Sequence, residues 1–293
     1  MFEGVYTAII TPFRNGVIDY HSLEKLIERQ IEGGVDGIVP LGTTGESPTV
    51  SFDEHKEFIR RVVKLVQGRI KVIAGTGANS TEEAICLSRE AEEAGVDAVL
   101  QVNPYYNKPP QRGLVEHFER VAKAISIPVI LYNIPGRTGI NFLPAGVKEL
   151  ISRVDNIVAM KEASGDIGQM MELHELCGDR LTILSGDDNL LLPVLAIGGK
   201  GIVSVLSNLL PSDVKRVVTL YLQGDVNGAR GLFYRLLPLC RAMFLETNPI
   251  PIKAAMAMAG YCADELRHPL VPLSDELRAK LRAVLEAYGV RLA

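Results

Sequence analysis

Apolar, β-branched runs alternate along this chain with stretches whose apolar residues recur at helical spacing. Eight runs read as strands: Val5 to Thr11, Gly37 to Leu41, Lys71 to Gly75, Ala98 to Val102, Pro128 to Asn133, Ile157 to Lys161, Leu181 to Ser185 and Gly201 to Val205. Their starts recur roughly every thirty residues, the spacing of strand–helix units. Between them, patterns such as Ser22 to Ile31 put Leu23, Leu26, Ile27 and Ile31 on one helix face.

The segment Gly34-Val35-Asp36-Gly37-Ile38-Val39 returns as Gly95-Val96-Asp97-Ala98-Val99-Leu100, a helix-to-strand turn repeated two units later. Eight equivalent units close into an α/β fold, a (β/α)8 TIM barrel. A doubly wound open sheet is the rival, but no G-x-G-x-x-G follows the first strand and no phosphate-binding G-x-x-x-x-G-K-[ST] occurs. After Ser207 the pattern is helical only: Ser212 to Leu222, Val226 to Leu245, Pro251 to Ala259 and Ser274 to Tyr288. The first of these completes the eighth unit. Residues 1–225 are therefore expected as the barrel and 226–293 as a C-terminal helical extension. With no Gly/Ser-rich linker at the junction, the extension should pack on the barrel and be available for oligomer contact.

Composition narrows the function. A chain of 293 residues, 47% of them hydrophobic, can bury a barrel-sized core. The 31 basic and 35 acidic residues form no basic block that could follow a phosphate backbone, so nucleic acid is not an expected partner. Met1 to Phe13 lacks the charged start and apolar stretch of a secretory signal, and no window approaches the ~20 apolar residues of a membrane span. A cytoplasmic protein without membrane contact is expected. Cys86, Cys177, Cys240 and Cys262 have no C-x-x-C spacing and read as reduced, mostly buried thiols.

The chemistry should lie at the carboxyl ends of the strands. Lys161 ends the sixth run beside Val158 and Met160, where burial would free the lone pair of its amine for attack on a ketone. After the second strand, Gly42-Thr43-Thr44-Gly45-Glu46-Ser47 permits a tight loop whose N–H groups and hydroxyls can converge on a carboxylate. The fifth strand ends Tyr132-Asn133-Ile134-Pro135-Gly136-Arg137-Thr138-Gly139, with a phenol at the rim and a guanidinium suited to a second carboxylate. Each has a plainer reading, as a surface lysine, a Gly/Thr turn, a packed tyrosine and a surface arginine. Tyr105 and Tyr106 sit on a proline-stiffened loop that suits a subunit contact as well as a catalytic role.

No metal is expected. His21, His55, His117, His174 and His268 show no H-x-H or H-E-x-x-H spacing, and Asp187-Asp188 reads as a helix cap as readily as a cation site. Without a metal or other cofactor, an enolisable ketone needs an electron sink, and an iminium on lysine supplies one.

In order and spacing, Gly42-Thr43-Thr44-Gly45-Glu46, Tyr132 to Gly139, Lys161-Glu162-Ala163-Ser164-Gly165 and Asn248-Pro249-Ile250-Pro251-Ile252-Lys253 resemble the dihydrodipicolinate synthase and N-acetylneuraminate lyase family of class I pyruvate aldolases. The resemblance covers essentially the whole chain. It implies a Schiff base between Lys161 and pyruvate, whose carboxylate Thr43 and Thr44 hold. Tyr132 and Thr43 would form a proton relay with Tyr106, which in the family enters the site of a neighbouring subunit of a homotetramer. Gly186 and Ile202 match positions that line the pyruvate pocket. Arg137 would bind the carboxylate of L-aspartate 4-semialdehyde, giving 4-hydroxy-tetrahydrodipicolinate, the entry to diaminopimelate and lysine. Lysine-inhibited members use a pocket matching Ser47, His55, Asn79, Glu83 and Tyr105. This chain departs beside it, with Pro48 and Phe52 where some inhibited relatives carry a small residue and another histidine.

Two alternatives stand beside this reading. Cleavage of N-acetylneuraminate or of a 2-keto-3-deoxy sugar acid would use the same Schiff base, although the sugar-acid members usually lack the G-R-T-G element present here. A non-catalytic barrel that binds a keto acid as a regulator is opposed by the complete set Lys161, Tyr132, Thr43 and Tyr106.

Overall fold

Eight parallel strands close on themselves in chain order: β1 (Gly4–Thr7), β2 (Gly37–Ile38), β3 (Lys71–Gly75), β4 (Ala98–Val102), β5 (Val129–Asn133), β6 (Ile157–Glu162), β7 (Thr182–Ser185) and β8 (Gly201–Ser204), with β8 paired back to β1. The computed structural model describes residues 2–293. The strands alternate with α1 (Tyr20–Glu32), α2 (Phe52–Val66), α3 (Thr81–Ala94), α4 (Gln111–Lys123), α5 (Pro144–Arg153), α6 (Ile167–Cys177), α7 (Leu191–Ala196) and α8 (Pro211–Leu222). This is the expected (β/α)8 barrel. No helix among the described residues is long and apolar enough to cross a membrane.

The repeated turn has a physical basis. Gly34 and Gly95 both adopt positive φ (74° and 87°), ending α1 and α3. The aspartate two residues later then accepts a backbone N–H from the strand just before that helix: Asp36 from Val5 at 2.7 Å, and Asp97 from Val72 at 2.8 Å. The seam between first and last strands is tighter still. Gly4 is in register with Gly201, and a Cβ on Gly201 would lie 1.9 Å from the Gly4 carbonyl oxygen.

Period-two alternation splits the buried residues into two layers. Tyr6, Val39, Ile73, Leu100, Ile130, Tyr132, Leu184 and Val203 fill the lumen. Val5, Ile38, Val72, Val99, Leu131, Met160, Ile183 and Ile202 face the helices. That outer layer runs without a break into the extension, α9 (Val226–Ala242), α10 (Ile250–Met258) and α11 (Asp275–Tyr288), through Leu236, Leu239, Ile252, Ala255, Leu281 and Leu285.

Several expectations need correction. The first two strands stop at Thr7 and Ile38, short of the apolar runs that continue them. Pro40 has no N–H to offer the ladder, and Leu41 adopts φ 54°, which turns the chain out of the sheet. An antiparallel ribbon, Phe13–Arg14 with Val17–Ile18, was not expected; Asn15 and Gly16, both at positive φ, make its turn. Of the cysteines, Cys177 and Cys240 are buried, Cys262 is half-buried and Cys86 is exposed.

Candidate active site

Lys161 and Tyr132 project into the carboxyl end of the lumen from adjacent strands. The two are register partners, each 5% exposed, and Lys161 Nζ lies 4.1 Å from the centre of the tyrosine ring. Alternation along β6 turns Met160 into the helix layer while Ala159 and Ala163 flank Lys161 on the lumen side. Gly186, just past β7, supplies the room. A Cβ there would lie 2.6 Å from Ala163 Cβ and 3.2 Å from Lys161 Cε, so only glycine leaves the lysine stem undisturbed.

Thr43 opens a single 3-10 turn, Thr43–Gly45, directly after the second strand's loop. Thr43 and Tyr132 line one small cavity with Gly42, Ser47, Gly75 and Gly77. Thr44 is buried, and its Oγ1 accepts from Asn248 Nδ2 at 3.0 Å. The turn is held from below by Thr11, whose Oγ1 donates to the Gly45 carbonyl at 2.6 Å. The residue that caps its end, Glu46, takes a left-handed conformation (φ 55°) and pairs with Lys253, both side chains fully buried.

Arg137 lies on the short helical turn Pro135–Thr138 after β5. It is exposed, and Nη2 donates to the Asn248 carbonyl at 2.8 Å. Asn248 thus touches both Thr44 and Arg137. Sequence reading placed Asn248 in a motif without a task, because its partners lie more than a hundred positions away.

Behind the lumen, the residue after each of the paired pair enters a buried polar network that was also missed. Asn133 Nδ2 donates to Glu162 Oε2 (3.0 Å) and to Asn141 Oδ1 (2.7 Å), while its Oδ1 accepts from Asn103 Nδ2 (2.8 Å). Glu162 also accepts Ser164 N–H at 2.7 Å. Burial pushes the Glu162 carboxyl up, against the hydrogen bonds from Asn133 and Ser164. This network ties the ends of β5 and β6 together where Tyr132 and Lys161 emerge.

Asp187 and Asp188 behave differently from a cation-binding pair. Asp188 is buried and accepts from Ser204 Oγ, Val205 N (2.9 Å) and Leu206 N (3.1 Å), capping the loop after β8. Burial raises the Asp187 carboxyl, partly opposed by the positive charge of Lys161.

Ile202 and Asn79 lie away from the positions expected of them, and Tyr106 stands clear of its own chain's cavity. Ile202 faces the helices, while its neighbour Val203 joins Tyr132 and Leu184 in the lumen. A step of one residue along a strand reverses the face. Tyr106 lies 90% exposed on the loop after β4 at φ 71°, outside the cavity that Thr43 and Tyr132 line. Ser47, His55, Glu83 and Tyr105 do line one cavity of about 320 Å³ together with Pro48 and Phe52. Asn79 is not part of its wall; its carbonyl accepts Asn107 Nδ2 at 2.8 Å. His55 Nε2 lies 2.8 Å from the Gly75 carbonyl, and burial lowers its pKa.

Residues 1–288 match the family described as the dihydrodipicolinate synthetase family. A protein of Leptospira biflexa named 4-hydroxy-tetrahydrodipicolinate synthase is 57% identical over 94% of this chain and 93% of its own length. The crystal structure of dihydrodipicolinate synthase from Aquifex aeolicus superposes with a TM-score of 0.98 at 47% identity, covering 99% of each chain. That of the chloride-inhibited dihydrodipicolinate synthase from Acinetobacter baumannii complexed with pyruvate gives 0.97 at 39% identity, covering 99% of this chain and 100% of the other.

Proposed function

The chain belongs to the dihydrodipicolinate synthetase family, and on that premise we propose how its residues carry out 4-hydroxy-tetrahydrodipicolinate synthesis, the lyase-type condensation of pyruvate with L-aspartate 4-semialdehyde. The pyruvate carboxylate is held by Thr43 and Thr44, which brings the ketone carbon to Lys161. The deprotonated amine adds to that carbon, the carbinolamine loses water, and an iminium forms. Loss of a methyl proton gives the enamine, which attacks the aldehyde carbon of the second substrate. Arg137 holds that substrate's carboxylate. Its amino group then displaces Lys161 from the imine carbon, closing the ring and freeing the enzyme; one water leaves per product overall. Tyr132 and Thr43 carry the protons into and out of the carbinolamine.

The observation that carries this reading is the placement of Lys161 Nζ 4.1 Å above the Tyr132 ring, inside the strand ring and beside the cavity that Thr43 lines. Borohydride reduction in the presence of pyruvate, followed by peptide mass mapping, is expected to label Lys161. A label on any other lysine sinks the assignment.

The same proposal makes the protein a cytoplasmic homotetramer in which Tyr106 completes the relay of a neighbouring subunit. Its 90% exposure in the single chain supports this, since a lone tyrosine at positive φ gains nothing from that position. Sedimentation that finds a fully active monomer overturns it. Feedback by lysine at the cavity of Ser47, His55, Glu83 and Tyr105 is the regulatory part of the proposal. The Glu83 carboxyl and Tyr105 phenol on its wall suit an ammonium. A coupled assay with and without lysine checks it.

A further inference from the structure

The turn that presents Thr43 and Thr44 is held chiefly by the C-terminal extension. Glu46 ends that turn, and its carboxylate takes Lys253 Nζ on one oxygen and the Arg267 backbone N–H on the other (3.0 Å). Lys253 belongs to α10, and its Nζ lies 4.3 Å above the ring of the fully buried Phe13. Arg267 stacks on the same ring at 4.5 Å and forms a two-point ion pair with Glu54 in the first turn of α2. Just ahead of α10, Asn248 donates to Thr44 Oγ1 and accepts from Arg137.

A fully buried ion pair adds little net stability, because removing both charges from water offsets most of their attraction. What the pair supplies is direction: it fixes a left-handed residue one position past the threonine turn, at a point where the chain alone would relax. Asn248 fixes the side chain of Thr44 in the same way.

We propose that Lys253 and Asn248 are positioning residues of the condensation, acting through Glu46 and Thr44 to hold the turn in the geometry that receives the pyruvate carboxylate. The proposal rests on the reading above that Thr43 and Thr44 bind that carboxylate. It makes the extension a working part of the substrate site, even though neither residue touches a reacting atom.

The test begins with borohydride trapping on the unmodified protein, so that the assignment of Lys161 is decided first and separately. The double variant Lys253→Met/Glu46→Gln removes both charges while keeping bulk, which avoids stranding one buried charge. Asn248→Ala removes the tie to Thr44. Melting temperature, kcat and KM for each substrate are then measured. Both variants are expected to stay folded and to form the Lys161 adduct at saturating pyruvate. KM for pyruvate should rise about tenfold or more while kcat falls by less than about threefold. A native KM for pyruvate in either variant overturns the proposal, and so does a lowered melting temperature with unchanged KM, which makes the contact merely structural.

Discussion

Lys161 and Tyr132 are register partners on neighbouring parallel strands, and the amine of one lies 4.1 Å above the ring of the other. The ring face and the phenol therefore have separable tasks. The face packs against the lysine; the hydroxyl is the group to which the proposed mechanism gives the proton transfers.

Tyr132→Phe keeps the face and removes the hydroxyl. It should lower kcat about 10²-fold or more, the usual scale for losing a general acid–base group. KM for pyruvate should change by less than about threefold, because the carboxylate contacts remain. Steady-state kinetics with both substrates checks the split; a large rise in KM for pyruvate with kcat intact contradicts it.

Gly186→Ala inserts a methyl group 2.6 Å from Ala163 Cβ and 3.2 Å from Lys161 Cε. Overpacking of this kind costs about 1–3 kcal/mol and moves its neighbours. The rate of adduct formation should fall about tenfold or more as the amine is displaced. Stopped-flow or quenched trapping with borohydride measures it, and an unchanged rate means that the lysine stem has room to spare.

Arg137→Ala should raise KM for L-aspartate 4-semialdehyde by roughly 10- to 100-fold, the worth of hydrogen bonds to a charged group. The pyruvate adduct should form as before. If synthase turnover is untouched, the second carboxylate binds elsewhere. Turnover of sugar acids by the variant and the parent separates this reading from an N-acetylneuraminate lyase.

His117 offers a pH prediction away from the site. Burial, with a smaller contribution from the Arg120 charge, lowers its pKa to about 4. Its Nδ1 lies 2.9 Å from Thr81 Oγ1 and its Nε2 has no partner. The folded protein resists protonation that the unfolded chain accepts from about pH 6.5 downward. The neutral ring's stabilising share is complete above that pH and is lost as pH falls towards 4, up to roughly 3 kcal/mol. Melting curves across this window should slope less for His117→Gln than for the parent protein; parallel curves refute the assignment.

How much of this was legible beforehand differs residue by residue. β3 and β4 were read with their observed bounds, because their apolar runs coincide with the hydrogen-bonded ladder. β1 and β2 were read too long, since Ile9, Ile10 and Leu41 are buried without being paired as strands. Lys161, Tyr132, Thr43 and Arg137 could be singled out from strand ends alone, where reactive side chains of a barrel collect. Glu46, Lys253 and Asn248 could not be given their contacts. Glu46 and Lys253 are 207 positions apart, and a lone charge in a sequence reads as solvated until its partner is found. The Asn133–Glu162 network was hidden for a related reason: polar residues that face outward from a barrel strand look exposed until the covering helices are in place. Ile202 shows how little tolerance a strand allows, since a shift of one position exchanges lumen for helix layer.

The glycine seam between Gly4 and Gly201 bears on how the molecule is made. β1 meets its second neighbour only in β8, so its outer edge stays unpaired until the ribosome has delivered Gly201. A nascent chain therefore carries an open sheet edge through most of its synthesis, a surface that invites wrong partners. Truncation short of that glycine leaves an unclosed sheet, not a smaller ring.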